Sequence, residues 1–478
     1  MHVEAWLARA AAAAPTVTAV ETPERALSYA EMLAGARAAA EELLERGARS
    51  GERVAIALPP GIAFAQALHA CFLIGVTAVP VDLRLKDSER ELIAAGSKVL
   101  VDAPLREPAP ARAAAMDEVG GGGLGEQIEA NAAPTTHDLD ACAIVIHTSG
   151  TTSAPKPIEL TYGNLLWSAL GSGVALGVDP AERWLCALPL SHVGGLSILI
   201  RSAIYATTAV IHERFDTDRV LEALRSERIT LVSLVSTTLA RLLDAGLREP
   251  PELRCALTGG GPVPEQLVQR AREAGVPVAE TYGLTECCSQ AATAPLALVS
   301  GHAREVDGPG GGDRRLGAGV PLFCTRTEIA PDGEIVLSGP TVARCALAED
   351  GRLRTGDLGH VDRAGLLHVT GRKADTIVSG GENVAPAEIE AVLEAHPAVL
   401  EAAVVGREDL EWGEAVVALI VLAADASADE EALRAHCAAR LAPYKVPKRL
   451  VLVEGPLPRT ASGKLLRRQL SSIAAGTG

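Results

Sequence analysis

Between residues 53 and 259 the chain repeats one pattern. VAIALP (54–59), TAVPVD (77–82), KVLVD (98–102), AIVIH (143–147), TAVIH (208–212), ITLVS (229–233) and LRCALTG (253–259) are apolar runs of five to seven residues. Between several of them lie stretches with helical periodicity, such as AFAQALHACFLIG, DTDRVLEALRSER and PEQLVQRAREAG. A short strand that is apolar at successive positions has no polar face to show water, so both faces must be covered. Helical crossovers supply that cover and return the chain in the same direction. The expected fold class is α/β, a large N-terminal body of βαβ-type subdomains with mostly parallel sheets.

A chain of 478 residues exceeds one ordinary core, and 48% hydrophobic residues suffice for several. Aromatics are only 3%, so the interior must be built from Ala, Leu and Val. From about residue 375 a separate unit begins. PAEIEAVLEAHP, with Pro386 near its start, reads as a helix. AVLEAAVVG, EAVVALIVLA, EEALRAHCAARL and RLVLVEG follow as mixed strands and helix. This predicts a small α+β C-terminal domain over 373–478, joined to a body over 1–372. The segment 103–140 breaks the pattern and reads as a surface excursion. Gly120, Gly122 and Gly125 there formally match a dinucleotide fingerprint, but no strand leads in, and the match is discarded. A second loop is expected over 300–317.

The formal net charge of −16 argues against nucleic acid or an anionic membrane as the main partner, though not against a locally basic site. No apolar run approaches the roughly 20 residues of a membrane span. MHVEAWLARAAAAAP is interrupted by Glu4 and Arg9 and reads as an amphipathic first helix rather than a leader. The nine cysteines are scattered without a CxxC pair, the pattern of a reduced, cytoplasmic protein.

The run AIVIH delivers the chain into TSGTTSAPK (148–156). Backbone N–H groups, hydroxyls and one Lys at a single spot suit a polyphosphate, although small polar residues with Pro also make plain connections. It is not a Walker A loop. The chain's GK at Gly463–Lys464 has Pro458 where that motif needs Gly. LPLSHVGG (188–195), TYGLTE (281–286), RTGDLG (354–359), GRKADTIVSGGENVAPAEIE (371–390) and PRTASGKLLRR (458–468) follow in that order.

These ordered motifs resemble the acyl-adenylate-forming superfamily of acyl- and aryl-CoA ligases, adenylation domains and luciferases, over nearly the whole chain. The resemblance implies a carboxylic acid, ATP, Mg²⁺ and coenzyme A as substrates and cofactors. The acid is first converted to an acyl-AMP and a thiol then displaces AMP. It implies that Thr148, Ser149, Gly150, Thr151, Thr152 and Lys156 hold the β- and γ-phosphates, with Glu286 on Mg²⁺ and Thr285 near the α-phosphate. Thr281, Tyr282 and Gly283, with Gly260 and Gly261, would flank adenine; Asp357 would accept from the ribose hydroxyls and Arg372 would contact ribose or phosphate. Lys464 would reach from a mobile C-terminal domain to the reacting carboxylate, giving Lys464, Thr285, Lys156 and Arg372 as catalytic candidates.

For the second step the resemblance implies rotation about Ala374, bringing Gly380 and Gly381 to a pantetheine channel. Lys445 and Lys448 would face CoA phosphates or simply solvent. His192, Gly194, Gly195, Arg201, Ser236, Thr237 and Gln290 are the acyl-pocket candidates. A charge at Arg201 inside an apolar run needs an internal carboxylate or a substrate carboxylate as partner. SHVGGLSILIRS, VSTTLARLL and YGLTECCSQ look most like o-succinylbenzoate–CoA ligases of menaquinone biosynthesis. Another aryl- or acyl-CoA ligase, a carrier-protein-loading enzyme and a non-catalytic nucleotide-binding relative remain as alternatives, and homo-oligomerisation stays open. Two departures stand out: Ser153 where the family usually has Gly, and Ala374 where Asp or Lys is common.

Overall fold

Six of the seven short apolar runs become strands buried on both faces; the edge strand Val99–Val101 leaves Leu100 exposed. The computed structural model describes residues 1–107, 136–148, 155–296, 317–379, 382–410, 412–424, 426–459 and 465–476. Thr18–Glu21, Thr208–Ile211, Arg183–Cys186, Leu231–Leu234, Cys255–Thr258 and Val278–Leu284 lie side by side in parallel. Antiparallel edge strands complete a nine-stranded sheet. A second sheet sets Val99–Val101, Arg53–Ile56, Thr77–Pro80 and Cys142–Thr148 in parallel, with Lys156–Thr161 returning antiparallel. Helices Ile62–Ile74, Tyr162–Leu176 and Val193–Tyr205 pack into the core shared by these two sheets. Thr217–Ser226, Ser236–Asp244 and Glu265–Glu273 cover the other face of the larger one.

Two parts depart from the parallel expectation. Residues 326–372 form a four-stranded sheet that is wholly antiparallel. The motifs TYGL and RTGDLG lie inside strands Val278–Leu284 and Leu353–Val361. Their glycines hid this, since glycine weakens any strand reading. Most of the excursion and of the second loop, including Gly120, Gly122 and Gly125, falls outside the described residues.

The C-terminal domain is a five-stranded mixed sheet around the long pair Val399–Asp409 and Gly413–Leu422. Helices Pro386–Glu394 and Glu430–Ala438 cover one face, and Arg467–Gly476 covers the other through Leu470 and Ala474. Alternate residues of each central strand feed the two cores, as a period of two requires.

The first helix, Trp6–Ala13, buries Trp6 in an aromatic cluster with Phe72, Tyr162 and His137. His137 stacks on Tyr162 at 4.4 Å and accepts the Trp6 backbone N–H at Nε2 (3.3 Å), so it is neutral with its proton on Nδ1. Burial pushes both His69 and His137 down from 6.5 to about 4. The unfolded chain therefore takes up protons below pH 6.5 that the folded chain refuses until about pH 4. Taken alone, this pair makes stability flat above that window and lowers it inside by about 1.4 kcal/mol per pH unit for each histidine, whereas the Glu280 and Glu394 carboxyls, raised by burial to about 7, shift it the opposite way. Urea midpoints of the chain and of His69→Gln/His137→Gln, measured from pH 7.5 to 4.5, check this: the stability of the chain relative to the variant should fall as the pH falls.

Candidate active site

The carboxyl ends of the parallel strands all point to one edge, so the loops that follow them meet there. Cys186 leads to His192, Leu234 to Ser236 and Thr237, and Thr258 to Gly260 and Gly261. Contacts between these loops are close. A Cβ at Gly259 would lie 2.7 Å from the Thr281 carbonyl oxygen, and one at Gly260 3.5 Å from Val235. Ser236 Oγ donates to the Pro262 carbonyl at 2.7 Å. Gly283 is obligatory: a bulge carries Val278–Leu284 past its partner strand, and a Cβ would stand 1.6 Å from Ser289 O. Thr281 is spent inside the sheet, donating to Ala292 O at 2.8 Å.

At the centre stands Asp357, 5% exposed. Its Oδ2 accepts the Tyr282 hydroxyl at 2.8 Å and its Oδ1 accepts Arg372 Nε at 2.9 Å. Arg372 is its cross-strand neighbour, so the antiparallel register sets the ion pair. Burial, and then the Asp357 charge, push the Tyr282 phenol well above its ordinary pKa. Each carboxylate oxygen keeps acceptor capacity for one more donor. Two residues before Tyr282, burial pushes the Glu280 carboxyl up to about 7. Composition and motif gave no sign of that shift.

Thr148 and Lys156 are opposed in register at the base of an antiparallel hairpin, with Thr148 Oγ1 donating to Lys156 O at 3.3 Å. Ser149, Gly150, Thr151, Thr152 and Ser153 fall outside the described residues. Thr285 opens a 3-10 turn, Thr285–Cys287, and the Glu286 carbonyl accepts Ala343 N–H at 2.8 Å. Glu286 is half-buried, and among the described residues no three His, Cys, Asp or Glu side chains group to hold a metal. A single carboxylate suits Mg²⁺, which takes its other ligands from phosphates and water.

The acyl candidates separate into two groups. His192 caps the helix Val193–Tyr205 and its Nε2 lies 3.1 Å from Arg84 Nη2. Arg84 in turn grips Asp82 with Nε at 2.8 Å and with Nη2. Both residues escaped the sequence reading; the charged LRLK after a buried strand was the available signal. Gly195 is needed by the chain itself, since a Cβ would meet Pro189 O at 2.6 Å, whereas Gly194 has ordinary room.

Arg201 lies on the same helix and is 2% exposed. Its Nη2 donates to Ser168 Oγ at 3.2 Å, whose hydroxyl donates to Cys288 O at 2.6 Å, and its guanidinium sits 5.6 Å over the Trp184 ring. Its Nε has no hydrogen-bond partner. No carboxylate among the described residues pairs with it. Gln290, also 2% exposed, donates to Thr293 Oγ1 while its Oε1 is unpaired. Ser168 and Trp184 carried no signal, because an ordinary Ser and Trp in apolar stretches read as core.

In the C-terminal domain Lys445 is held by both oxygens of Glu388 (2.7 and 2.6 Å), and Lys448 lies 4.0 Å over the Trp412 ring. Gly380, Gly381 and Lys464 fall outside the described residues. Ala374 sits in the turn Lys373–Asp375, between Lys373 on Asp332 (2.6 Å) and Asp375 on Arg467 (2.9 Å).

Residues 7–347 match the AMP-binding enzyme family and 388–464 match the AMP-binding enzyme C-terminal domain, so the chain belongs to the AMP-binding enzymes. Within that family it is similar to the 2-succinylbenzoate–CoA ligase of Bacillus subtilis (strain 168), 39% identical over 98% of both chains. It is also 37% identical to that of Geobacillus kaustophilus over 99% of this chain and 98% of the relative. Among solved structures, the o-succinylbenzoate CoA synthetase from Bacillus subtilis in complex with its acyl-adenylate intermediate superposes with a TM-score of 0.83. That match has 36% identity and covers 98% of both chains. The same protein with ATP and magnesium gives 0.82 at 37%, covering 98% of this chain and 100% of that one. Among the described residues no helix is long and apolar enough to cross a membrane.

Removing the Tyr282 hydroxyl would leave Asp357 Oδ2 with one donor fewer in a buried setting. Tyr282→Phe is expected to cost about 1–3 kcal/mol of stability, the usual worth of a hydrogen bond to a charged group. Urea denaturation checks the size.

Proposed function

We infer that the chain is an ATP-dependent acid–CoA ligase acting on 2-succinylbenzoate. The family, the whole-length similarity to ligases of that name and the similarity to a structure holding the acyl-adenylate support the reaction. The observation that carries the substrate is Arg201. A guanidinium stays protonated in protein interiors, and a buried one without an anion is costly. A dicarboxylate supplies one carboxylate to be activated and a second to meet that cation.

The chemistry then runs in two displacements. An oxygen of the succinyl carboxylate attacks the α-phosphorus of ATP, the bond to the bridging oxygen breaks, and pyrophosphate leaves. The CoA thiol, on losing its proton to water, attacks the acyl carbon, and AMP leaves with the carbon–oxygen bond electrons. We assign Thr148, Ser149, Gly150, Thr151, Thr152 and Lys156 to the phosphates, and Tyr282, Gly260 and Gly261 to adenine. Asp357 accepts from ribose hydroxyls with its remaining lone pairs while Arg372 holds it in place. Glu286 would ligate Mg²⁺, which neutralises phosphate charge when bound. Lys464 meets the carboxylate and α-phosphate, carried by a C-terminal domain that begins at residue 373.

His192, Gly194, Ser236, Thr237 and Gln290 belong to the acyl pocket with Arg201. Gly380 and Gly381 border the path of the pantetheine. For Lys445 and Lys448 to meet CoA phosphates, the phosphates must compete with Glu388 and Trp412, which is a weaker arrangement than two unengaged lysines.

CoA-dependent AMP formation across 2-succinylbenzoate, benzoate, anthranilate, a cinnamate and a medium-chain fatty acid tests the substrate. Strong selectivity for 2-succinylbenzoate is expected, and a preference for a monocarboxylate would sink the assignment. Arg201→Met should raise KM for 2-succinylbenzoate by about 10²-fold, the scale of losing a buried charge partner. Lys464→Ala should slow adenylation by about 10²–10³, as removal of one preorganised donor does. Thioester formation from supplied acyl-AMP should survive in that variant; equal loss of both half-reactions would refute the role of Lys464.

A further inference from the structure

Ordering an arginine costs more rotamer freedom than ordering most side chains, so a guanidinium kept in one place needs contacts that fix both its direction and its plane. Arg201 has one of each. Ser168 Oγ accepts from its Nη2 at 3.2 Å, and the Trp184 ring lies 5.6 Å beneath it. Neither partner is loose. The Ser168 proton is committed to the Cys288 carbonyl at 2.6 Å, which leaves the hydroxyl's lone pairs for a donor, and an arginine can only donate. The hydrogen bonds therefore run one way, from Arg201 through Ser168 to Cys288. Trp184 is pinned in its plane by Nε1–H, donated to Ser233 Oγ at 3.0 Å. The side chains of Arg201, Ser168, Trp184 and Ser233 are all buried.

What carries Ser168 is tied down as well. On its helix, Tyr162–Leu176, Asn164 Nδ2 donates to the Pro340 and Val342 carbonyls (2.8 and 3.2 Å), and the Ala169 carbonyl accepts the Tyr205 hydroxyl. A Cβ at Gly171 would stand 2.8 Å from Cys324 Sγ, so the helix sits close against its neighbour there. At the other end, the Cys288 carbonyl lies between two successive non-glycine residues of positive φ, Cys288 at 58° and Ser289 at 96°. Such backbone carries a steric cost that surrounding contacts must offset, and the Ser168 hydroxyl is one that does. These two residues directly follow the turn Thr285–Cys287.

We propose that Ser168 is a positioning residue for substrate selection, aiming the Arg201 guanidinium at the second carboxylate of the acid. The inference rests on the reading of Arg201 as the partner of that carboxylate. With the hydroxyl present, the Cys288 carbonyl already has a donor, and the remaining guanidinium N–H groups, the unpaired Nε among them, are left for the substrate. With the hydroxyl gone, that carbonyl is an orphaned buried acceptor beside a donor-rich cation. The guanidinium then turns toward the carbonyl and competes poorly for the acid.

A double-mutant cycle tests this, read as kcat/KM for 2-succinylbenzoate in CoA-dependent AMP formation at saturating ATP. Ser168→Ala removes a single atom from a helix and suits helical backbone. It should lower kcat/KM about 10-fold, the worth of one hydrogen bond to a charged group, and leave KM for ATP within about two-fold. In an Arg201→Met background the same change should cost nothing further, because the side chain it aims is gone. A residue that only packs the helix would lower kcat/KM by the same factor in both backgrounds, and that result overturns the proposal. A large loss in Arg201→Met beside none in Ser168→Ala overturns it alone. An Arg201→Met chain with unchanged kcat/KM removes the assignment of the second carboxylate, and this inference with it.

Discussion

A buried carboxylate with two donors from two different sheets ties the site together. Asp357 is held on one side by Tyr282, from the last parallel strand of the large sheet, and on the other by Arg372, at the end of the antiparallel sheet. An ionised carboxylate at that depth is tolerable only with such partners. Its position therefore fixes where the antiparallel sheet docks against the body. It also fixes where the chain leaves for the C-terminal domain, since Arg372 is the last residue before the turn Lys373–Asp375. The proposed nucleotide contact and the domain connection thus share one ionic knot.

What could be read from the sequence follows from what carries local signal. The runs VAIALP, TAVIH and LRCALTG are strands because nothing but double-sided burial suits them, and their pattern says so directly. TYGL and RTGDLG are strands for a reason the local sequence does not contain. Their glycines meet neighbouring backbone at Gly283 and allow the left-handed turn at Gly356, and the pairing partner lies elsewhere in the chain. The same holds for side chains. Asp357, Glu286 and Lys156 sit in motifs and were legible as a set. Arg84, with Asp82, meets His192 across 108 residues of chain and Ser168 meets Arg201 across 33, so these partnerships exist only once the fold has brought separate elements together. Glu280 is ordinary in sequence and acquires its raised pKa wholly from burial.

Arg201 shows how function departs from the rules that govern a core. Every local preference would put an aliphatic residue at a position 2% exposed on a helix otherwise apolar there. The chain instead keeps a cation with a hydroxyl, an aromatic face and one unpaired N–H around it. Those contacts orient the guanidinium without neutralising it. On the proposed assignment a dicarboxylate would meet this cation, and a monocarboxylate would leave it buried and uncompensated. Discrimination of this kind exceeds what apolar shape alone supplies.

The hinge can be argued from the same kind of contact. Lys373 is paired with Asp332 and Glu334 of the antiparallel sheet, while Asp375 is paired with Arg467, which also grips Glu390 in the C-terminal domain. The residue on each side of Ala374 is thus bound to a different body. A rotation between the bodies that keeps these ion pairs has only the backbone around Ala374 to turn about. A side chain able to make its own ion pair there would add a third anchor and bias one orientation, whereas alanine adds none. Under the rotation that the family resemblance implies, the two flanking pairs would define the pivot and the alanine methyl would leave its angle unconstrained.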